Sequence, residues 1–147
     1  MIDETDHASA LERILPEIAR RMFTVPPGSP LAELPNAQLK VCSLLLEGPH
    51  TMSQIGEEMN ISVSAVTQVA DRLEKAGMVK RVSDTSGEDS DRRHRYLALT
   101  PFGAELLQAR REQRRARVAE VLSHIPHNER KTIRLALERL LIASREL

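Results

Sequence analysis

The chain has 147 residues, about one domain's worth, and its 41% hydrophobic and 29% charged content is that of a globular protein, not a membrane-embedded or disordered one. Lys plus Arg and Asp plus Glu both total 21, so the net charge of zero supplies no long-range pull, and polyanion binding would have to use local asymmetry. Only Phe23, Tyr96 and Phe102 are aromatic, which argues against base-stacking platforms for single strands, and the single Cys42 excludes an intrachain disulfide or a Cys-pair zinc site. No stretch approaches the roughly 18 to 20 apolar residues of a membrane span, and the start MIDETDHASALE is acidic where a signal peptide would be basic. A cytoplasmic protein without a membrane partner is expected.

Leu11, Ile14, Leu15, Ile18 and Met22 recur at three- and four-residue spacing, the pattern of one helix face ending near Phe23. Pro16 interrupts it and predicts a bend or a late start. The prolines and glycine of TVPPGSPLAELP predict a loop. Asn36 is then the expected N-cap of an apolar helix carrying Leu39, Val41, Cys42, Leu44, Leu45 and Leu46, ended by Gly48 and Pro49. Thr51 and Gln54 have capping-box spacing and open a short helix with Ile55 and Met59, stopping at Asn60. Ser62 caps the next helix, whose inward face is Val66, Val69, Ala70 and Leu73, with Gly77 as the left-handed terminator.

Val79 to Val82 and Tyr96 to Leu99 read as the strands of a hairpin around the polar loop Ser83 to Ser90. Thr100 and Pro101 are an N-cap and first-turn pair. They open a long helix to about His124 with Phe102, Leu106, Leu107, Val118, Val121 and Leu122 as inward candidates. Its middle, QARREQRRAR, offers a core only alanines, as expected where a helix leaves one packed unit and enters another. A last helix from about Asn128 carries Ile133, Leu137, Leu140 and Leu141 on one face.

Two short helices across a tight turn, followed by a two-stranded hairpin, make a winged helix-turn-helix. The expected fold is mostly α with a small β-hairpin wing. A DNA-binding lobe over residues 36–100 would be flanked by dimerisation helices at 1–24 and 101–147. In such a unit the first helix braces the second, which enters the major groove, while the wing reaches across the adjacent backbone. The residues expected to point away from the core on the second helix are Ser62, Ser64, Ala65, Thr67, Gln68, Asp71 and Arg72. Gln68 suits the two edge atoms of an adenine, Ser64 and Thr67 suit bases or phosphates, Arg72 suits a phosphate, and Ser62 completes the DNA-binding face.

The segments SVSAVTQVADRLEKAGMVKR and DRRHRYLALTPFG resemble the recognition helix, wing motif and long-helix entry of the MarR family of bacterial transcriptional regulators. The resemblance runs from Thr51 to Gly103. It implies a homodimeric repressor on a pseudo-palindromic duplex, released by a small-molecule effector. It also implies that Asp91, Arg92 and Arg93 are the wing motif, with Arg93 entering the minor groove and Asp91 orienting it. From Asp84 to Arg95 four acids oppose three arginines, a local charge of −1, so moderate affinity and a shallow salt dependence are expected.

Other features carry plainer readings. Arg110, Arg111, Arg114, Arg115 and Arg117 with Glu112 give a local charge of +4, suited to DNA, to the acidic first helix or simply to solvent. Glu74 and Lys75 read as solvated helix charges. Cys42 among Val41, Leu44 and Leu45 reads as an inert core thiol. The five histidines form no i, i+4 ligand pair, and no nucleophile elbow, phosphate loop or zinc-protease motif occurs, so no metal, cofactor or enzymatic activity is expected. The alternative to DNA binding is a winged-helix module that contacts protein.

Overall fold

A computed structural model of the chain describes residues 4–25, 27–83 and 95–147. Among the described residues, six α-helices and three short strands follow in the order α1 (Glu4–Met22), α2 (Asn36–Leu45), β1 (His50–Thr51), α3 (Met52–Met59), α4 (Val63–Lys75), β2 (Val79–Ser83), β3 (Arg95–Leu99), α5 (Pro101–Leu122) and α6 (His127–Ser144). They form two compact units, Val25–Arg111 and Met1–Thr24 with Glu112–Leu147. The boundary falls in α5 within the arginine-rich stretch. No described helix is long and apolar enough to cross a membrane.

The first unit is built on caps. Thr51 Oγ1 accepts from the Gln54 amide at 3.1 Å, and Gln54 Oε1 accepts from the Thr51 amide at 2.8 Å, a complete capping box. Asn60 ends α3 in the left-handed region at φ 55°, a conformation that asparagine tolerates better than most residues. Ser62 Oγ then accepts from the Ala65 amide at 3.1 Å to start α4. Beneath these turns, Leu39, Val41, Cys42 and Leu45 of α2 pack with Ile55 of α3, Val66, Ala70 and Leu73 of α4, and Leu97 and Leu107. Burial pushes the Cys42 thiol up from 9.0 to about 11, as befits a core thiol.

Several details depart from the sequence expectations. Asn36 is not the N-cap of α2: Pro35 holds that place without a side-chain cap, and its carbonyl accepts from the Leu39 amide at 3.1 Å. The loop before it contains a 3-10 turn at Pro30–Glu33, where Ser29 Oγ accepts from the Leu31 amide and Leu31 is buried. The helix α1 starts well ahead of Pro16 and runs through it, because Ala8, Ala10, Leu11 and Glu12 are strong helix formers that offset one lost backbone bond. The hairpin is part of a three-stranded antiparallel sheet ordered β1-β3-β2, with His50 opposite Leu97, Thr51 opposite Tyr96 and Val79 opposite Leu99. Phe102 is 51% exposed and does not join the core, which takes Leu107 and part of Leu106 from α5.

Where α4 turns into β2, three groups tie the wing's base to α5. Gly77 takes φ 74°, which a side chain would oppose. Thr100 Oγ1 donates to the Gly77 carbonyl at 2.6 Å and accepts from the Gly103 amide at 3.0 Å, capping α5. Gly103 abuts Met78 so closely that a Cβ there would lie 2.2 Å from the Met78 carbonyl oxygen.

The second unit has no buried residue in α1 or α6. Leu11, Ile14, Leu15 and Ile18 of α1 and Leu137, Leu140 and Leu141 of α6 are exposed in the single chain. Within this unit the Arg114 guanidinium sits 4.1 Å from the centre of the Phe23 ring, a cation–π contact. Arg115 and Arg117 pair with Glu112 and Glu120 of their own helix, each at 3.0 Å.

Candidate nucleic-acid interface

The helix α4 is amphipathic because its apolar residues recur at helical spacing. Val66, Ala70 and Leu73 are fully buried and Val69 is half-buried, so the opposite face is left to solvent. Ser62, Ser64, Thr67, Gln68, Asp71 and Arg72 are all exposed on it, whereas Ala65 is half-buried and is not part of the open face.

Their hydrogen-bonding capacity is unequal. Ser62 accepts from its own helix as the cap, which leaves its hydroxyl proton and one lone pair for an outward partner. The Thr67 hydroxyl donates to the Val63 carbonyl at 3.0 Å, which leaves it an outward acceptor. Among the described residues, Ser64, Gln68 and Arg72 make no side-chain hydrogen bond, so the Gln68 carboxamide can both donate and accept, and Arg72 is a free cation.

Asp71 and Glu74 stay exposed but are also paired across the turn. Arg81 of β2 donates to Asp71 Oδ1 from Nη2 at 2.6 Å, and its Nη1 lies 3.5 Å from Glu74 Oε2. One guanidinium thus bridges two carboxylates one helical turn apart. The hydrogen bond to Asp71, with the charges of both acids behind it, holds Arg81 protonated above its already high ordinary range, against an opposing cost of burial. Together α4 and β2 carry four cations, Arg72, Lys75, Lys80 and Arg81, against two anions.

Arg81 was not among the residues expected from the sequence, yet a signal for it exists. Strand alternation places Arg81 on the same side of β2 as the buried Val79, which is the side that meets α4, where Asp71 and Glu74 stand. Asp91, Arg92 and Arg93, with the acidic stretch from Asp84, lie outside the described residues. Among the described residues no group of three or more metal-ligating side chains converges.

Comparison with known proteins agrees with this architecture. The family model of the MarR family matches residues 37–94. The chain is 37% identical over 94 residues to the HTH-type transcriptional repressor MdtR of Bacillus subtilis, covering 63% of this chain and 58% of that protein. It is 33% identical over 111 residues to the uncharacterized HTH-type transcriptional regulator YfiV of the same organism, covering 75% of this chain and 65% of that one. The chain thus spans less than two thirds of the length of these relatives. The fold is also that of Streptococcus pneumoniae FabT, solved in complex with DNA, with a TM-score of 0.80 at 20% identity over 98% of this chain and 99% of that one.

Proposed function

Since this chain belongs to the MarR family of winged helix-turn-helix proteins, we propose that it is a sequence-specific transcriptional regulator that binds duplex DNA as a homodimer and represses from a pseudo-palindromic operator. The observation that carries the reading is the open face of α4. Ser64, Gln68 and Arg72 there have unspent hydrogen-bonding groups, directly behind a stripe of buried residues that holds the helix rigid. In this reading Gln68 reads an adenine edge, Ser64 and Thr67 meet bases or phosphates, and Ser62 and Arg72 meet phosphates. Arg92 and Arg93 carry the wing's contacts and Asp91 orients Arg93, a role supported by the motif they match. The relative MdtR is named a repressor and FabT was solved with DNA, which supports repression by DNA binding.

The homodimer is supported by the exposed apolar faces of α1 and α6, which one chain leaves uncovered. A groove of about 540 Å³ along the end of α5 and the face of α6, lined by Val118, Leu122, Ile133, Leu137 and Leu141, continues that surface. The small-molecule effector is part of this reading on the strength of the family resemblance.

The test is a selection from random duplexes followed by affinity measurement on the selected operator and on scrambled DNA. Gln68→Ala is expected to cost roughly 1 to 3 kcal/mol on the operator and little on scrambled duplex, because only a base contact carries sequence information. Equal losses on both would assign Gln68 to the backbone. Failure to select any duplex would refute DNA binding and favour a protein-contact module.

A further inference from the structure

The wing's outer part is weakly held by packing. In the order β1-β3-β2, β2 is an edge strand paired on one side only. Val79 is its last buried residue, and Lys80, Arg81, Val82 and Ser83 are exposed. Thr100 and Gly103 secure the turn at Gly77 and Met78, below this stretch. Among the described residues, no side chain of Lys80 to Ser83 other than Arg81 hydrogen-bonds or ion-pairs with α4. The direction of the strand beyond Val79 relative to α4 is therefore set by β3 and by one guanidinium.

The same contact alters the charge that α4 presents. Thr67, Asp71 and Glu74 follow one another at helical spacing, so the acids continue the stripe that begins with a proposed DNA contact. Exposed carboxylates beside phosphate repel it, and here both are engaged by a cation from the wing.

We infer that Arg81 is a positioning residue for DNA binding: by bridging β2 to Asp71 and Glu74 it fixes the wing's first strand against the recognition helix and offsets part of the negative charge of two acids that would repel the duplex. This rests on the proposed DNA-binding function. Arginine suits the task because its planar fork reaches two acceptors from two nitrogens, which the point charge of lysine does not do. The role predicts that Arg81 acts through the acids rather than on a phosphate, and the two possibilities give opposite results when the acids are removed.

The experiment is a cycle on the full chain with its selected operator, measuring affinity for the unsubstituted protein, Arg81→Gln, Asp71→Asn/Glu74→Gln, and the triple variant, with thermal melts confirming that each is folded. Arg81→Gln is expected to weaken binding about tenfold in the unsubstituted background and less than about twofold once the acids are neutral, the signature of coupled residues. Arg81→Lys should recover the loss only in part. An equal or larger loss in the neutral background would show a direct phosphate contact and overturn the inference, as would no loss in either. Full recovery by lysine would overturn the bridging geometry. If the unsubstituted protein selects no duplex at all, it is the DNA-binding reading that has failed, a result distinct from any outcome of the cycle.

Discussion

Gly103→Ala places a methyl where the backbone of another segment already stands. The added Cβ would lie 2.2 Å from the Met78 carbonyl oxygen, 3.0 Å from its carbon and 3.2 Å from its Cα. Ordinary carbon–oxygen contacts begin at about 3.3 Å, so α5 and the Met78 segment must separate by about 1 Å. Neither side yields freely. Met78 and Val79 are buried, and the Met78 oxygen accepts from the Thr100 amide at 3.0 Å. Overpacking of this kind costs about 1 to 3 kcal/mol, and loss of the Thr100 bond adds about 1 kcal/mol. Against this, alanine gains about 1 kcal/mol over glycine in a helix. The net expectation is a destabilisation of about 2 kcal/mol, a fall in melting temperature of about 4 to 8 °C for a chain of this length. Gly56→Ala is the internal comparison, because its Cβ would meet the Ile61 carbonyl at 2.9 Å, a contact relieved by a shift of a few tenths of an ångström. Circular-dichroism melts of both variants check the order. A Gly103→Ala protein as stable as the parent, or more stable than Gly56→Ala, would refute the close approach of α5 to the wing's base.

Two further outcomes are expected. Cys42 titrates near 11 in the fold against 9.0 for an unperturbed thiol, so the native state holds its proton more tightly. Its contribution, of order 2 to 3 kcal/mol, is whole below pH 9 and is lost as pH rises toward 11; Cys42→Ala melts followed from pH 8 to 11 should lack that share of the alkaline decline. For the homodimer, Leu137→Glu with Leu141→Glu should convert the protein to a monomer in sedimentation at micromolar concentration while the α4 unit keeps its helicity, and a dimer that persists would move the interface elsewhere.

The parts of this fold that the sequence displays are those decided within a few residues. The Thr51–Gln54 capping box, the Ser62 cap, the left-handed Asn60 and Gly77, and the buried stripe of α4 each depend on side chains reaching their own backbone or recurring at 3.6 residues. What stays hidden is set by partners far along the chain. Two residues cannot show strand alternation, so β1 is visible only once β3 lies beside His50 and Thr51. The prolines around Ser29 read as irregular although they contain a capped turn that buries Leu31. Phe102 looks like a core residue by type, but its place in the first turn of α5 turns it outward, and the neighbouring Leu106 and Leu107 take the interior.

The site divides in the same way, and the division bears on how specificity would arise. The open face of α4 follows from periodicity, but the allotment of its hydrogen bonds does not. Ser62 and Thr67 each commit part of their hydroxyl to the helix itself, and Asp71 is committed to Arg81. Among the neutral side chains of this face, Ser64 and Gln68 retain their full capacity, and of these two only Gln68 can meet two edge atoms of one base at once. On the proposed function, the recognition helix thus concentrates direct reading in very few contacts. A protein so equipped must draw the rest of its discrimination from where the wing meets the adjacent groove and from the spacing of two half-sites. Both depend on rigid placement, so residues that never touch a base, Gly103 and Thr100 at the wing's base and Arg81 along its strand, would bear on operator choice as strongly as those that do.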